Sequence, residues 1–312
     1  MAIITAMPLD PELARYLESQ KSLPPRSGLT IEQTRARLVE GARASGGEPA
    51  TVAAVRDLTL PGGIAAREYG AADAPLLLYF HGGRFISGNL DSHDLLCRRL
   101  AVAASCRVVA VDYRLAPEFT FPAASEDMEA VYREVLKTTK PANIGFFGCS
   151  AGGTLVAESM AWFQNKKLPT PAAASIQCSG AMPTFWFGGD SNTTAGMFNA
   201  TFSQSPPPAK AAPGAPRGYF EGVNQHDPLV APGIFPEVLA KFPPTLVVTG
   251  TRDIAESNAI VTYTALLKAG VDARLFVTEG LGHGHFFSFP GTPESATTYD
   301  VMWKFFDSHL KK

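Results

Sequence analysis

One serine in this chain stands in a setting built for nucleophilic chemistry. Gly148-Cys149-Ser150-Ala151-Gly152-Gly153 fits G-x-S-x-G, between an apolar run, Ile144 to Phe147, and a helix-forming stretch, Thr154 to Phe163. A strand-turn-helix elbow of this kind lifts a serine hydroxyl above a sheet. It needs small flanking residues because the backbone is strained and its neighbours come close. The helix N-terminus beneath the serine favours developing negative charge. The chemistry implied is acyl transfer through a covalent intermediate. Cys149 is the weaker nucleophile candidate, since the elbow presents the residue after it.

Acyl transfer also needs N–H donors aimed in advance at the developing oxyanion. His81-Gly82-Gly83-Arg84 directly follows the apolar run Leu76 to Phe80, and the backbone amides of Gly82, Gly83 and Ala151 are the candidate donors. His81 is expected to brace that loop rather than act as the base. A serine needs a base and the base an orienting acid, in the chain order serine, acid, histidine for such an elbow. Downstream of Ser150 lie His226, His283, His285 and His309. His226 precedes the expected acid, and His309 falls in the last helical stretch. Gly280-Leu281-Gly282-His283-Gly284-His285-Phe286 leaves two candidates on a glycine-rich loop. Asp253, after the run Leu246 to Val248, is the candidate acid, with Glu279 as a competitor; Asp227 and Asp272 read as structural or exposed.

Hydrophobic patterning supplies the elements that must position these groups. Val52–Leu60 and Ile64–Tyr69 read as a hairpin around Pro61-Gly62-Gly63. Short apolar runs at 76–80, 106–111, 144–147, 176–178, 246–248 and 273–277 suit strands buried on both faces of a parallel sheet. Helical stretches at about 93–104, 123–138, 151–165, 255–269 and 293–310 alternate with them, which predicts an α/β fold with right-handed crossovers. Two regions break the alternation. The first 45 residues read as two helices: one opened by Asp10-Pro11 with Leu13 and Leu17 on a face and broken at Pro24-Pro25, and one opened by a Thr30/Gln33 capping box with Ile31, Leu38 and Val39 inward. From about Ala181 to Asn224 there is no strand signal, but Phe185, Trp186, Phe187, Phe202, Tyr219 and Phe220 cluster with Pro206-Pro207-Pro208. Such aromatic content predicts an insertion that covers something. The division expected is a core of 46–180 with 226–312, and a cap of 1–45 with 181–225.

Apolar residues are 46% of the 312, enough for a sizeable core. The 27 basic and 29 acidic residues leave a net charge of −2, which argues against nucleic acid as a partner. No apolar run reaches the length of a membrane span, and the N-terminal stretch lacks the pattern of a secretory leader, so the expected compartment is the cytosol. Cys97, Cys106, Cys149 and Cys178 form no metal-ligand spacing and read as small buried hydrophobes. No nucleotide-binding glycine motif is present, so neither cofactor nor metal is expected.

Taken in order, His81-Gly82-Gly83, Asp112-Tyr113-Arg114-Leu115-Ala116-Pro117-Glu118, Phe121-Pro122-Ala123-Ala124, the elbow, Asp227-Pro228-Leu229 and Pro243-Pro244-Thr245-Leu246-Val247-Val248-Thr249-Gly250 resemble the hormone-sensitive-lipase-like (bacterial family IV) esterases of the α/β-hydrolase superfamily. The resemblance runs from about Leu76 to Phe286. It implies an α/β-hydrolase fold: a mostly parallel eight-stranded sheet flanked by helices, with a helical cap. It implies a serine carboxylesterase acting on short- to medium-chain acyl esters without a cofactor, with Ser150, Asp253 and His283 as the triad. The family has a histidine, a glycine and an aromatic, which favours His283 and puts His285 in the aromatic's place. It leans towards a homodimer through the last sheet edge. Two departures stand out. Arg84 replaces the usual third glycine, and either meets a polar or anionic substrate group or points to solvent; Cys149 replaces the usual aspartate. Arg84, Trp186, Phe187 and Phe202 are the candidate substrate-pocket residues. The charges of Asp112 and Arg114 are expected to satisfy the backbone or each other, and Glu126-Asp127 to be helix N-terminal charge. An acyltransferase, a lactone or carbamate hydrolase, and a non-catalytic small-molecule receptor are the alternative readings.

Overall fold

The computed structural model describes residues 11, 28–45, 48–182, 218–288 and 292–310. Its centre is a sheet of eight strands: β1 (Val55–Leu60), β2 (Ile64–Tyr69), β3 (Leu76–Phe80), β4 (Arg107–Val111), β5 (Ile144–Cys149), β6 (Ala173–Gln177), β7 (Thr245–Arg252) and β8 (Ala273–Gly282). The order across the sheet is β1-β2-β4-β3-β5-β6-β7-β8. β1 and β2 form the expected antiparallel hairpin, β2 runs antiparallel to β4, and every other pairing is parallel.

The apolar runs build two cores because successive strand side chains point to opposite faces. Leu76, Leu78, Phe80, Phe146, Ile176 and Val247 pack on one face. There they meet α3 (Ala123–Val135), α4 (Ala151–Asn165) and α5 (Glu256–Lys268), through residues such as Met128, Val131, Leu155 and Ala259. Their strand neighbours Leu77, Tyr79, Phe147 and Val248 face the other way, onto α2 (Asp94–Ala103) and α6 (Pro293–His309), through Leu96, Leu100, Met302 and Phe306. Helices on both faces explain why these runs are continuous rather than alternating. Ahead of the sheet, α1 (Ile31–Ser45) begins with the predicted capping box: Thr30 N–H donates to Gln33 Oε1 at 2.9 Å, and Gln33 N–H to Thr30 Oγ1 at 3.2 Å. The helix expected from Asp10 lies outside the described residues. Among the described residues, no helix is long and apolar enough to cross a membrane.

β8 runs five residues past the predicted 273–277. Its pairing with β7 continues through Thr249↔Val277 and Gly250↔Thr278, then resumes at Arg252↔Gly282 after a register shift. The glycine-rich stretch that reads as loop is therefore in part strand. β6 begins at Ala173, and Cys178 falls just beyond its end.

The helix after the elbow hides a carboxyl that its pattern does not announce. α4 is buried from Ala151 to Phe163, Glu158 included, and neither Glu158 oxygen has a hydrogen-bond partner among the described residues. Burial pushes the Glu158 carboxyl well above its ordinary 4.5. Its folded pKa is raised, so it contributes stability fully present below pH 4.5 and lost as pH rises towards the folded value. Glu158→Gln keeps the shape and removes the titration. In urea unfolding across pH 4 to 9, this variant is expected to match the wild type at the acid end and exceed it increasingly at the alkaline end. Parallel curves would contradict a buried neutral acid.

Candidate active site

The serine elbow is built where β5 meets α4. Ser150 takes φ 59° and ψ −127°, a conformation that costs roughly 1–3 kcal/mol for a residue with a side chain. It is held there from both sides. Ser150 N–H donates to Gln177 O of β6 at 2.8 Å, and Thr154 N–H to Ser150 O at 3.0 Å starts the helix. The turn leaves no room at Gly152, where a Cβ would stand 2.0 Å from the Phe80 carbonyl oxygen.

The candidate oxyanion loop follows β3, whose last residue, Phe80, pairs with Gly148. That pairing sets the loop beside the elbow: a Cβ on Gly82 would lie 3.3 Å from Ser150 Cβ. Gly83 has φ 129°, a region open to glycine, and Arg84 and Phe85 follow in the left-handed region at 59° and 60°. Among the described residues, the amides of Gly82 and Gly83 have no backbone acceptor. Ala151 is the first residue of α4, so its amide has no partner within the helix.

The loop is braced from beneath. Tyr113 O–H donates to His81 O at 2.6 Å, and the Tyr113 and His81 rings stack at 4.2 Å. His81 Nδ1 lies 2.9 Å from Gly82 O, and the buried Phe85 ring stacks on Tyr219 at 4.4 Å. From α1, Arg35 donates to Ile86 O and Ala116 O and forks onto Glu118. Of the two expected partners, Arg114 takes the backbone, donating from Nη2 to Ala123 O at 3.0 Å, and not Asp112. Asp127 accepts from both the N–H and Nε of Arg114 at 2.8 Å, and Glu126 joins at 3.0 Å, so these two carboxylates do more than charge a helix start. Sequence distance hides that pairing, because 13 residues separate the partners.

The candidate acid and base come from the ends of adjacent strands. Asp253 follows β7 and is fully buried. Its Oδ1 accepts from Ala255 N–H at 2.8 Å and sits 2.6 Å from His283 Nδ1, and its Oδ2 accepts from Thr249 Oγ1 at 3.2 Å. A carboxylate that faces Nδ1 fixes the proton there and leaves Nε2 free to accept one. His283 follows β8, and its side chain is 32% exposed. His285 turns inward instead, 3% exposed against α6. Sequence reasoning missed two partners at this site. Thr249 belongs to an ordinary strand run. Cys178 hydrogen-bonds the Cys149 thiol and the Gly284 backbone, joining the residue before Ser150 to the one after His283. Burial pushes both thiols up, so they act as packing. Arg84 is exposed; Trp186, Phe187 and Phe202 lie outside the described residues.

A sheet of this order, with a serine, an acid and a histidine at the ends of β5, β7 and β8, has clear relatives. The chain belongs to the alpha/beta hydrolase fold family, whose model matches residues 77–287. Within that family it falls with the hormone-sensitive-lipase-like esterases and is a serine ester hydrolase. Esterase LipI of Mycobacterium tuberculosis is 34% identical over 233 residues, 72% of this chain and 70% of that protein. An acetyl-hydrolase of Streptomyces hygroscopicus is 29% identical over 241 residues, 75% of each. The crystal structure of an esterase from the bacterial hormone-sensitive lipase family superposes with a TM-score of 0.80 at 27% identity, covering 98% of this chain and 100% of that one.

The floor of the candidate oxyanion loop holds two histidines. His81 stacks on His93 at 5.6 Å, and burial lowers them from 6.5 to about 4 and about 3. Depressed folded values mean stability that is complete above pH 6.5 and lost as pH falls towards 4. Denaturant unfolding is expected to weaken steadily between pH 7 and 4, and His93→Phe to flatten that slope. An unchanged slope in the variant would contradict a His93 kept neutral in the folded chain.

Proposed function

We propose that the chain is a cofactor-independent carboxylesterase that cleaves short- to medium-chain acyl esters through an acyl-enzyme on Ser150. The observation that carries this reading is the buried Asp253, its 2.6 Å bond to His283 and the strained Ser150 elbow, all at the C-terminal ends of parallel strands. In this reading the ester carbonyl oxygen sits among the amides of Gly82, Gly83 and Ala151. His283 Nε2 takes the Ser150 proton as Oγ attacks, then gives it to the departing alkoxide. A water activated by the same nitrogen attacks the acyl-enzyme, and the acid leaves. Asp253 holds the tautomer and stabilises the imidazolium.

Substrate size follows from the cap. We assign 1–45 and 181–225 to it and 46–180 with 226–312 to the core. The support is the hold of Arg35 on the loop carbonyls and the stack of Tyr219 on Phe85, at the end of the second cap segment. In this reading Arg84, exposed on the loop after β3, stands at the mouth of a confined acyl pocket. The acetyl group in the name of the Streptomyces relative is in keeping with small acyl chains. β8 is a sheet edge with Val277 exposed, which suits a homodimer, and four free cysteines suit a reducing cytosol.

Hydrolysis of p-nitrophenyl esters from acetate to palmitate tests the reading. Turnover is expected to peak at about two to eight carbons and to fall at least about 10³-fold in Ser150→Ala. Activity that survives in Ser150→Ala, or that peaks at palmitate, would overturn it.

A further inference from the structure

His285 occupies the place where the resemblance calls for an aromatic, and it does more than fill space. Its ring is 3% exposed and packs edge-on against Phe286 at 5.3 Å, as an aromatic would. Unlike an aromatic, it also makes a polar bond: Nε2 lies 3.2 Å from Thr298 Oγ1 on α6. Thr298 is itself fully buried, with its hydroxyl 2.8 Å from Glu294 O. The next residue is fixed to the same helix, since Tyr299 O–H donates to Phe286 O at 2.8 Å.

We propose that His285 is a positioning residue: it ties the chain two residues past His283 to Thr298 on α6, and so sets where the His283 imidazole stands relative to Ser150. The proposal rests on the reading of Ser150 and His283 as nucleophile and base. Thr298 Oγ1 gives its one proton to Glu294 O, so it accepts from Nε2–H of the neutral ring, which needs no charge in the interior. Burial pushes His285 down to about 4, so the ring keeps that form at neutral pH. The glycines that flank His283 supply no stiffness of their own. Without a tie to α6, the loop would place the base only loosely, and a misplacement of about 1 Å at a reacting group costs on the order of 10²-fold.

Steady-state kinetics on p-nitrophenyl butyrate separate this from a packing role. His285→Phe preserves an aromatic and removes that bond; it is expected to lower kcat at least about tenfold with KM within about twofold of the wild type. His285→Gln retains an N–H donor for Thr298 Oγ1 and is expected to keep most of kcat. Thr298→Val is expected to show a smaller loss, and the double variant with His285→Phe no more than His285→Phe alone, because one network is being cut. A wild-type kcat in His285→Phe, equal losses in the Phe and Gln variants, or a change confined to KM would overturn the proposal. If His285→Phe does not fold, Thr298→Val decides, and an unchanged kcat there overturns it. Ser150→Ala and His283→Ala run alongside. Full activity in either removes the triad reading and the positioning role with it, whereas inactive controls beside a full-rate His285→Phe sink the positioning role alone.

Discussion

The backbone of Ser150 is the constraint around which the rest is arranged. At φ 59° and ψ −127° it stores strain that relaxes unless several neighbours forbid it. β6 takes its amide, α4 takes its carbonyl, and β3 presses on Gly152 so closely that no side chain fits. Each of those neighbours is itself locked by the two hydrophobic cores. The central strands are buried on both faces, and α4 is buried almost throughout. Dense packing resists small displacements, so a strained turn between a central strand and a central helix can persist. The same placement brings Gly82 against the serine.

The candidate acid and base use a different device. Asp253 is a carboxyl taken wholly out of water, and such a group is costly to bury unless it is hydrogen-bonded. Three donors, from Ala255, Thr249 and His283, meet it. The carboxyl is thereby fixed in place, and His283 with it, while the other side of the imidazole remains partly open. The Cys149–Cys178 contact, with Gly284 beyond it, ties the two halves at their backs. The aspartate that the resemblance calls for before Ser150 is replaced here by a thiol that belongs to the packed interior.

Much of this was legible in the sequence for physical reasons. Parallel strands covered on both faces must be continuously apolar, so Leu76–Phe80 and Ile144–Phe147 announced β3 and β5. Capping chemistry is local, so Thr30 and Gln33 announced the start of α1. The order of Ser150, Asp253 and His283 follows from how such a sheet is wound. What stayed hidden depends on tertiary approach. Arg114 chooses Asp127 rather than Asp112 because the loop after β4 folds back onto α3. Glu158 sits in a helix that has no exposed face at its position. β8 outlasts its apolar run because β7 continues to pair with it. The inward turn of His285 depends on α6, whose Thr298 is 13 residues away.

The central claim is that Ser150 is the residue that becomes acylated. Reaction with diethyl p-nitrophenyl phosphate tests it without assuming a substrate: the hydroxyl takes the diethyl phosphoryl group and p-nitrophenolate leaves. The account predicts one label per chain, mapped by peptide mass spectrometry to Ser150, with loss of esterase activity in proportion to labelling and slow labelling in Asp253→Asn. A label on Cys149 or another side chain that tracks the loss of activity, or full activity in a chain labelled at Ser150, would contradict it.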